Sequence, residues 1–431
     1  MKQAVNPAPE EWKELLQRPV IDLRKIEKIV QPIMEKVKRN GDKALIRFAS
    51  EYDHAQITQV LVSKEEIEAA AAKVDPILKA SIEIAHNNIK AFHEAQKQEE
   101  LVMETMPGVT CRRRSVPIQR VGLYVPGGTA PLFSTVLMLG LPAKIAGCKE
   151  IVLCTPCNNQ GEVNPAILYT AQLIGIERIV KAGGAQAIAA MCYGTESVPA
   201  VYKIFGPGNQ YVTAAKLVAA REGMAIDMPA GPSEVAVYAD ESAIPAFVAA
   251  DLLSQAEHGV DSQVILVASS QAIVDSVMEE VQKQVAKLPR REIAERSLAN
   301  STTIVMEEEE EAIALLNEYA AEHLILSVED PHHIADQIVN AGSIFLGNFT
   351  PESAGDYASG TNHTLPTNGS AKAFSGVSLD SFVKKITLQE ISPAGMKKLG
   401  TAIEKMAEAE ELIAHKRAVS LRLNYIDNQD V

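Results

Sequence analysis

A glutamine and a histidine near the end of a helix-like stretch have a spacing that suits metal binding. Gln255 and His258 are three positions apart, which puts both side chains on one face of a helix. Imidazole nitrogens bind zinc, and amide oxygens also serve as metal ligands. A single histidine in a helix is more often a structural residue, so the two residues alone leave the metal site open.

An acid and an imidazole lie next to each other at the start of an apolar run. Glu322 and His323 directly precede LILSV, which has the composition of a buried strand. Burying charge is costly, so this pair is either a salt bridge that opens the strand or a functional acid–base pair. Histidine titrates near neutral pH and suits proton transfer.

A long polar loop and a C-terminal helix carry three further candidates. The loop PESAGDYASGTNHTLPT, residues 351–367, contains Asp356 and His363. Loops of this composition often hold functional sites, although the same residues also form plain turns. His415 lies in AEELIAHKRAV beside basic residues, which by itself indicates a surface or interface position.

Three glycine-rich turns follow apolar runs in the first half of the chain: PGGTAP (126–131), GGAQA (183–187) and GPGNQ (206–210). In a parallel sheet such turns meet at the carboxyl edge, where ligands bind, and the helices that follow offer free N–H groups to phosphate. None matches the G-x-G-x-x-G fingerprint. Each turn alone is an ordinary connection, but together they predict a ligand-binding edge.

The cysteines are too few, and odd in number, for a disulfide framework, which favours a reducing compartment such as the cytoplasm. They are Cys111, Cys148, Cys154, Cys157 and Cys192. The C-x-x-C spacing of Cys154 and Cys157 lacks a second pair to complete a zinc site. Cys111 or Cys148, given an activating neighbour, would suit a thiol-dependent aldehyde or acyl-phosphate reductase, and this alternative stays open.

Short apolar runs alternate with helix-like stretches from Val121 to about Phe374, which predicts parallel βαβ units. The first series of predicted strands is VGLYV, IVLCT, RIVKA and VYKIF. The second is VAVYA, QVILVAS, TTIVM, HLILSV and SIFLG, and the turn PAGPSE at 229–234 separates the two. Two α/β lobes with a cleft would also suit a non-catalytic, metal-stabilised ligand sensor.

The two ends of the chain read as helical. Residues up to about Gln119 are predicted to be mostly helical, with Ser63 and Glu66 as a capping box. The segments SLDSFVKKITLQEIS (378–392) and GMKKLGTAIEKMAEAEELIAHKRAVSLRLNYI are predicted helices of a tail that docks on a partner chain. The glutamates at 307–311 are predicted to open a helix.

The 431 residues suggest roughly three domains. Hydrophobic residues make up 47% and charged residues 22%, which is typical of globular proteins. The net charge, 41 − 55 = −14, argues against a nucleic-acid partner because phosphate would be repelled. Prolines interrupt the longest uncharged stretch, Val121–Ala143, so no membrane span is expected. The N-terminal residues do not resemble a signal peptide.

Several motifs occur together in one order: IDMPAGPSEV, DLLSQAEHG, EHLIL, NAGSIFLG, PESAGDYASGTNHTLPT and AEELIAHKRAV. In this combination the chain resembles the histidinol dehydrogenase family, from VGLYVPGGTAPLFSTV to the last helix. The resemblance implies a cytoplasmic oxidoreductase that converts L-histidinol to L-histidine through L-histidinaldehyde. It further implies two NAD and one bound zinc (Zn2+), in the last steps of histidine biosynthesis.

The same resemblance implies an α/β fold with two incomplete Rossmann-like parallel-sheet domains, small N- and C-terminal helical domains, and an intertwined homodimer. Residues 1–23 would form an N-terminal helical segment, and 24–120 with 233–375 the substrate and metal domain. Residues 121–232 would form the NAD-binding domain. The C-terminal helical domain, 376–431, would reach the partner subunit.

The resemblance also assigns roles to individual residues. The zinc ligands, which would contact the substrate as well, are Gln255, His258, Asp356 and His415, with His415 donated across subunits. The NAD contacts are Tyr124, Gln186 and Asn209. The other substrate contacts are Ser233, His323, His363 and Glu410. Glu322 and His323 would be the catalytic pair, His323 taking the alcohol proton and Glu322 activating water.

Overall fold

A computed structural model of the protein describes residues 1–19, 23–127, 131–228 and 231–429. These residues form two compact units, Met1–Gln96 with Ile118–Phe382, and Lys97–Pro117 with Val383–Val431. Parts of two predicted turns, residues 128–130 of PGGTAP and 229–230 of PAGPSE, lie outside the described residues. Within the described chain, no helix is both long and apolar enough to cross a membrane.

The strands, in chain order, are β1 (Lys2–Val5), β2 (Leu101–Met106), β3 (Val109–Pro117), β4 (Arg120–Tyr124), β5 (Glu150–Thr155), β6 (Arg178–Lys181), β7 (Lys203–Phe205), β8 (Ala225–Ile226), β9 (Glu234–Ala239), β10 (Gln263–Ala268), β11 (Thr302–Val305), β12 (His323–Ser327), β13 (Ser343–Leu346) and β14 (Val383–Ile391). The helices are α1 (Pro9–Leu15), α2 (Leu23–Asn40), α3 (Asp42–Tyr52), α4 (Lys64–Lys73), α5 (Pro76–Glu94), α6 (Phe133–Ala146), α7 (Pro165–Ile174), α8 (Gly184–Tyr193), α9 (Gln210–Arg221), α10 (Pro245–Ala256), α11 (Gln271–Val285), α12 (Arg291–Ala299), α13 (Glu309–Tyr319), α14 (Pro331–Ala335), α15 (Glu352–Tyr357), α16 (Pro393–Ala409) and α17 (Ile413–Asp427).

The first unit contains a six-stranded parallel sheet in the order β1-β11-β10-β9-β12-β13. Strands β9, β10 and β12 are buried along their whole length, as expected for apolar strands covered by helices on both faces. The five strands of the second predicted series all belong to this sheet, which confirms the parallel βαβ prediction. Strand β1, which pairs with β11, was not predicted.

A second parallel sheet in the same unit has the order β6-β5-β4-β7-β8. Its first four strands are those of the first predicted series. Helix α2 packs against α8 and α9, and side chains such as Val30 and Phe48 join the core of this sheet. Ser63 accepts a hydrogen bond from the Glu66 N–H and Glu66 caps Ser63 in return, which confirms the capping box. The glutamates do open a helix, α13.

The helix predicted for 378–392 is wrong. Val383–Ile391 is strand β14, which pairs antiparallel with β3, and β3 pairs antiparallel with β2. Residues 101–117, expected to be largely helical, therefore form strands. Lys384, Lys385 and Glu390 give the segment a helix-like composition, but the ladder with β3 overrides this weak local preference. The second unit also contains α16 and α17, which pack against each other where one long helix was predicted.

Candidate active site

The predicted acid–imidazole pair lies at the amino end of β12 and is almost fully buried, with Glu322 6% and His323 4% exposed. The backbone of Glu234, in the neighbouring strand β9, contacts both side chains. Its N–H donates to Glu322 Oε2 at 3.0 Å, and its carbonyl oxygen lies 3.3 Å from His323 Nδ1. A Cβ at Gly342 would lie 2.5 Å from the Glu322 carbonyl oxygen, so this close approach requires glycine.

Two carboxylates on α15 flank the imidazole of His323. Glu352 Oε1 lies 3.7 Å from Nδ1, and Asp356 Oδ1 lies 3.6 Å from Nε2. The two acids are four positions apart and therefore share a helix face. Glu352 is 1% exposed, and the sequence analysis did not single it out. The signal that would have found it is this spacing within ESAGD.

These carboxylates move the pKa values of the pair far from their ordinary range. Burial alone lowers the pKa of His323, but Glu322, Glu352 and Asp356 outweigh burial and raise this pKa to about 10. Burial raises the pKa of Glu322 to about 8, with His323 opposing the rise. Shifts of this size in adjacent buried groups are typical of functional sites.

A candidate cation site adjoins the pair. One ligand atom from each of His258, Glu352 and Asp356 can be chosen so that all three lie within 4.8 Å of one another. Helix α10 ends at Ala256, so His258 lies in the turn just beyond the helix rather than on it. The C-terminal end of a helix favours positive charge, so α10 adds to the attraction of the two carboxylates.

Gln255, in the last turn of α10, supplies an independent sign of a missing ligand. Its side chain is fully buried, and neither amide atom has a hydrogen-bond partner among the described residues. An unsatisfied buried amide costs about 1–3 kcal/mol. A cation that takes the amide oxygen as a ligand would satisfy that atom, so the donor set fits a metal bound by nitrogen and oxygen.

The site lies at the amino edge of the six-stranded sheet, opposite to the edge where ligands of parallel sheets usually bind. Helix α10 follows β9 and runs back along the sheet, which brings its C-terminal end to the amino ends of the strands. Asp356 reaches the same edge on α15, after β13. The glycine turns, in contrast, follow strands β4, β6 and β7 at the carboxyl edge of the five-stranded sheet.

The two edges border one cavity of about 770 Å³. Tyr124, Gln186 and Asn209, the predicted NAD contacts, line it together with His258. The Tyr124 hydroxyl accepts a hydrogen bond from the Gly184 N–H at 3.1 Å. Asn209 caps α9 by accepting hydrogen bonds from the backbone of Tyr211 and Val212. Helices α8 and α9 therefore both begin at the cavity, where the positive ends of their dipoles suit phosphate.

The other predicted substrate residues of the first unit lie near the pair. His363 Nδ1 lies 2.9 Å from the Asp356 carbonyl oxygen, and its Nε2 lies 3.0 Å from Thr135 Oγ1. Burial lowers the pKa of His363, which favours its neutral form. Ser233 directly precedes β9 and is partly buried, one residue from the backbone that contacts Glu322.

The remaining two predicted residues belong to the second unit. Glu410 follows the last residue of α16, and His415 lies in the first turn of α17. Both are exposed. The structure thus brings Gln255, His258, Asp356 and His323 to one edge of a sheet in the first unit, while Glu410 and His415 lie close in sequence in the other.

The structure weighs against Cys148 as the nucleophile of the thiol-dependent alternative. Burial raises the pKa of Cys148 to about 12, and Cys154 is shifted upward for the same reason. A thiol that stays protonated at neutral pH is a poor nucleophile. Cys111 lies on β3 of the second unit and is partly buried. All five cysteines are free thiols.

Comparison with known proteins identifies relatives over almost the whole chain. A family model described as histidinol dehydrogenase matches residues 16–423. The chain is 59% identical over 424 residues to a histidinol dehydrogenase of Bacteroides thetaiotaomicron, covering 98% of this chain and 99% of that protein. It is 51% identical over 422 residues to that of Yersinia pestis, covering 97% and 94%. The crystal structure of histidinol dehydrogenase from Elizabethkingia anophelis is 56% identical, with a TM-score of 0.97 and 99% of each chain covered.

Proposed function

The chain belongs to the histidinol dehydrogenase family of oxidoreductases in histidine biosynthesis, and from this premise we propose its chemistry in detail. It oxidises L-histidinol to L-histidine through L-histidinaldehyde, with two NAD as hydride acceptors and a bound zinc ion. One observation carries the proposal. His323 of the buried pair Glu322–His323 lies within 3.7 Å of both carboxylates of a candidate cation site whose His258 faces the cavity lined by Tyr124.

Zinc binding is supported by the donor set. Gln255, His258 and Asp356 would be its ligands in one subunit, with the partner subunit's His415 as the fourth. When bound, zinc would supply a fixed positive charge that anchors the imidazole and amine of the substrate. Glu352 also lies within reach of this position, and both its carboxylate and that of Asp356 face His323. We propose that Glu352, on the Nδ1 side of the ring, orients His323.

NAD binding is supported by the cavity. Tyr124, Gln186 and Asn209 line it from the five-stranded sheet, and His258 and Arg290 line it from the other side. The helices that begin at Gly184 and Gln210 would direct the positive ends of their dipoles at a diphosphate. When bound, NAD would accept the hydride in each half-reaction.

Both oxidations need a group that accepts a proton from oxygen next to the reacting carbon, and the chain provides two such groups. Without a bound cation, the surrounding groups favour the protonated forms of His323 and Glu322, so the positive charge of the bound ion would have to lower both pKa values. In the first step the neutral His323 then takes the proton of the alcohol as the hydride leaves the carbinol carbon. In the second, the ionised Glu322 takes a proton from the water that adds to the aldehyde, and the hydrate then loses its hydride to give the carboxylate. The overall change is alcohol plus water plus two NAD⁺ to carboxylate, two NADH and three protons, and no thiol takes part.

We also propose that the chain acts as a homodimer in which His415 and Glu410 complete the site of the partner. Large apolar side chains of the second unit are exposed on α16, on α17 and between them, which supports a partner surface: Met406, Leu412, Ile413, Leu421 and Tyr425. A reducing, cytoplasmic setting agrees with the five free thiols.

The test is NADH formation from histidinol by the purified chain, measured with its metal content before and after chelation. We expect activity that falls with the loss of zinc and returns when zinc is added. Bound metal without NADH formation would instead favour a ligand sensor. Activity that persists in the Cys111→Ala, Cys148→Ala double variant is expected, and its loss would favour the thiol-dependent alternative.

A further inference from the structure

Asp53 occupies an unfavourable position in the wall of the 770 Å³ cavity. It follows the last residue of α3 as the C-cap, where the helix dipole disfavours a negative charge. Its Oδ2 atom is buried and has no hydrogen-bond partner among the described residues. A carboxylate in such a place lowers the stability of the ligand-free fold, so a ligand that donates hydrogen bonds to it would recover this energy.

The groups around Asp53 do not satisfy it. His54 is its neighbour in the chain, and the phenol of Tyr124 and the thiol of Cys157 lie near it, but none of these groups donates a hydrogen bond to Oδ2. Burial raises the pKa of Asp53 to about 6, which still leaves the carboxylate mostly ionised at neutral pH. An ionised carboxylate accepts hydrogen bonds and donates none, so its ligand must present donors and carry no negative charge at this point.

Asp53 and His258 both line this cavity, Asp53 directly after the end of α3 and His258 in the turn beyond α10. Next to Asp53, the apolar side chains Ile29, Ile33 and Tyr52 line the cavity from α2 and α3. An apolar wall beside a hydrogen-bond acceptor matches the base and sugar of a nucleoside.

We propose that Asp53 selects the dinucleotide: its carboxylate accepts hydrogen bonds from the vicinal hydroxyls of the adenosine ribose and repels a ribose that carries a 2′-phosphate. Nucleotide-binding sites of the Rossmann type use an acidic residue after a sheet strand in this role. In this chain the acid comes instead from the end of an N-terminal helix. The inference rests on the proposed use of NAD and adds the residue that excludes NADP.

The experiment is a calorimetric titration of the zinc-loaded protein with NAD and with NADP, independent of turnover. The variants are Asp53→Ala and Asp53→Asn. The control is Glu51→Gln, which changes a carboxylate two residues away that is exposed and lies 3.7 Å from Arg47. A hydrogen bond to a charged group contributes about 1.5–3 kcal/mol, so we expect Asp53→Ala to weaken NAD binding by about 10-fold or more. The preference for NAD over NADP should shrink by at least a similar factor, and Glu51→Gln should change neither.

Two failures are distinguishable. If the wild-type protein binds NAD but both Asp53 variants keep its affinity and its preference over NADP, the role of Asp53 is wrong and the proposed function stands. If the wild-type protein binds no NAD, the proposed function fails and the inference with it. The melting temperature and the zinc content of each variant are measured as well. Both are expected to be at least as high as in the wild type, which would show that a loss of binding is not caused by a loss of the fold.

Discussion

Arg18 binds the side chain of Glu234, whose backbone contacts Glu322 and His323. The guanidinium binds the Glu234 carboxylate through two nitrogens, with Nη2 2.9 Å from Oε1, and also donates to the Tyr319 carbonyl oxygen. The Glu234 side chain is 2% exposed. The backbone of the same glutamate contacts Glu322 and His323. A buried ion pair therefore fixes the strand end on which the acid–base pair depends.

Loss of this ion pair should destabilise the fold. Arg18→Ala leaves a buried carboxylate without its partner, which costs about 3–5 kcal/mol in comparable cases. The measurement is the free energy of unfolding in urea. Arg47→Ala removes an exposed arginine from its ion pair with Glu51 and should cost less than about 1 kcal/mol. Similar losses in the two variants would contradict the structural role of Arg18.

Glu322→Gln should separate the two half-reactions. Because we assign the activation of water to Glu322 and the alcohol proton to His323, the variant should retain aldehyde formation better than aldehyde oxidation. A lost general base typically lowers a rate by about 10²–10⁴. The two steps are measured separately, with histidinol and a trap for the aldehyde, and with histidinaldehyde as the substrate. Equal losses in both steps would refute this division of roles.

Gln255→Met should affect metal binding and stability in opposite directions. The variant removes one proposed zinc ligand, so a lower concentration of chelator should remove zinc from the variant than from the wild type. In the metal-free protein the variant removes an unsatisfied buried amide, so the free energy of unfolding should stay equal or increase. Gln337→Met, at an exposed position, is the control. A destabilised metal-free protein with unchanged zinc affinity would argue against a ligand role.

Complementation tests the proposed sharing of the site between subunits. His415→Ala and His323→Ala homodimers should each be inactive. A mixed dimer would contain one site with both wild-type residues and one site with neither. Mixing the two variants after mild dissociation should therefore give each hybrid dimer up to about half of the activity of a wild-type dimer. The measurement is NADH formation after mixing. No recovery in dimers that are shown to have exchanged subunits would mean that His415 acts within its own chain.

Asp53 should make the stability of the ligand-free protein depend on pH. Its pKa is about 6 in the folded protein and near 3.8 ordinarily, so the folded state binds the proton more tightly. The destabilisation is therefore absent below pH 3.8, grows as the pH rises, and is complete above pH 6. Asp53→Asn should raise the melting temperature more at pH 7.5 than at pH 4.5, and Glu51→Gln should show no such difference. An effect of equal size at both pH values would exclude the unpaired charge as its cause.

Much of the α/β core was predictable because its signals are local. Each strand of the second series is a short apolar run, and burial on both faces leaves little room for other residues. Strand β14 was not predictable in this way, because its partner β3 lies about 270 positions earlier and the pairing is decided by that contact. The same holds for β1, whose residues show no strand signal of their own.

The candidate site also contains some residues that the sequence indicates and others that only the structure indicates. Glu322 and His323 stand out because charge beside a buried strand is unusual, and Asp356 lies in a conspicuous polar loop. Glu352 and Asp53 do not stand out, because an acid at a helix end is ordinary until the structure shows that the Glu352 side chain and the Asp53 Oδ2 atom are buried. The convergence of α10 and α15 at the amino edge also depends on the path of the chain between strands, which no local motif encodes.

The pairing of β1 with β11 constrains how the protein is made. Lys2 lies opposite Thr302, a separation of 302 − 2 = 300 residues. During synthesis the residues of β1 emerge long before their neighbour exists, so they must remain unpaired until most of the polypeptide has left the ribosome. The pairing of β1 with β11 at the edge of the sheet is thus a late event, and contacts so distant in sequence are expected to form slowly.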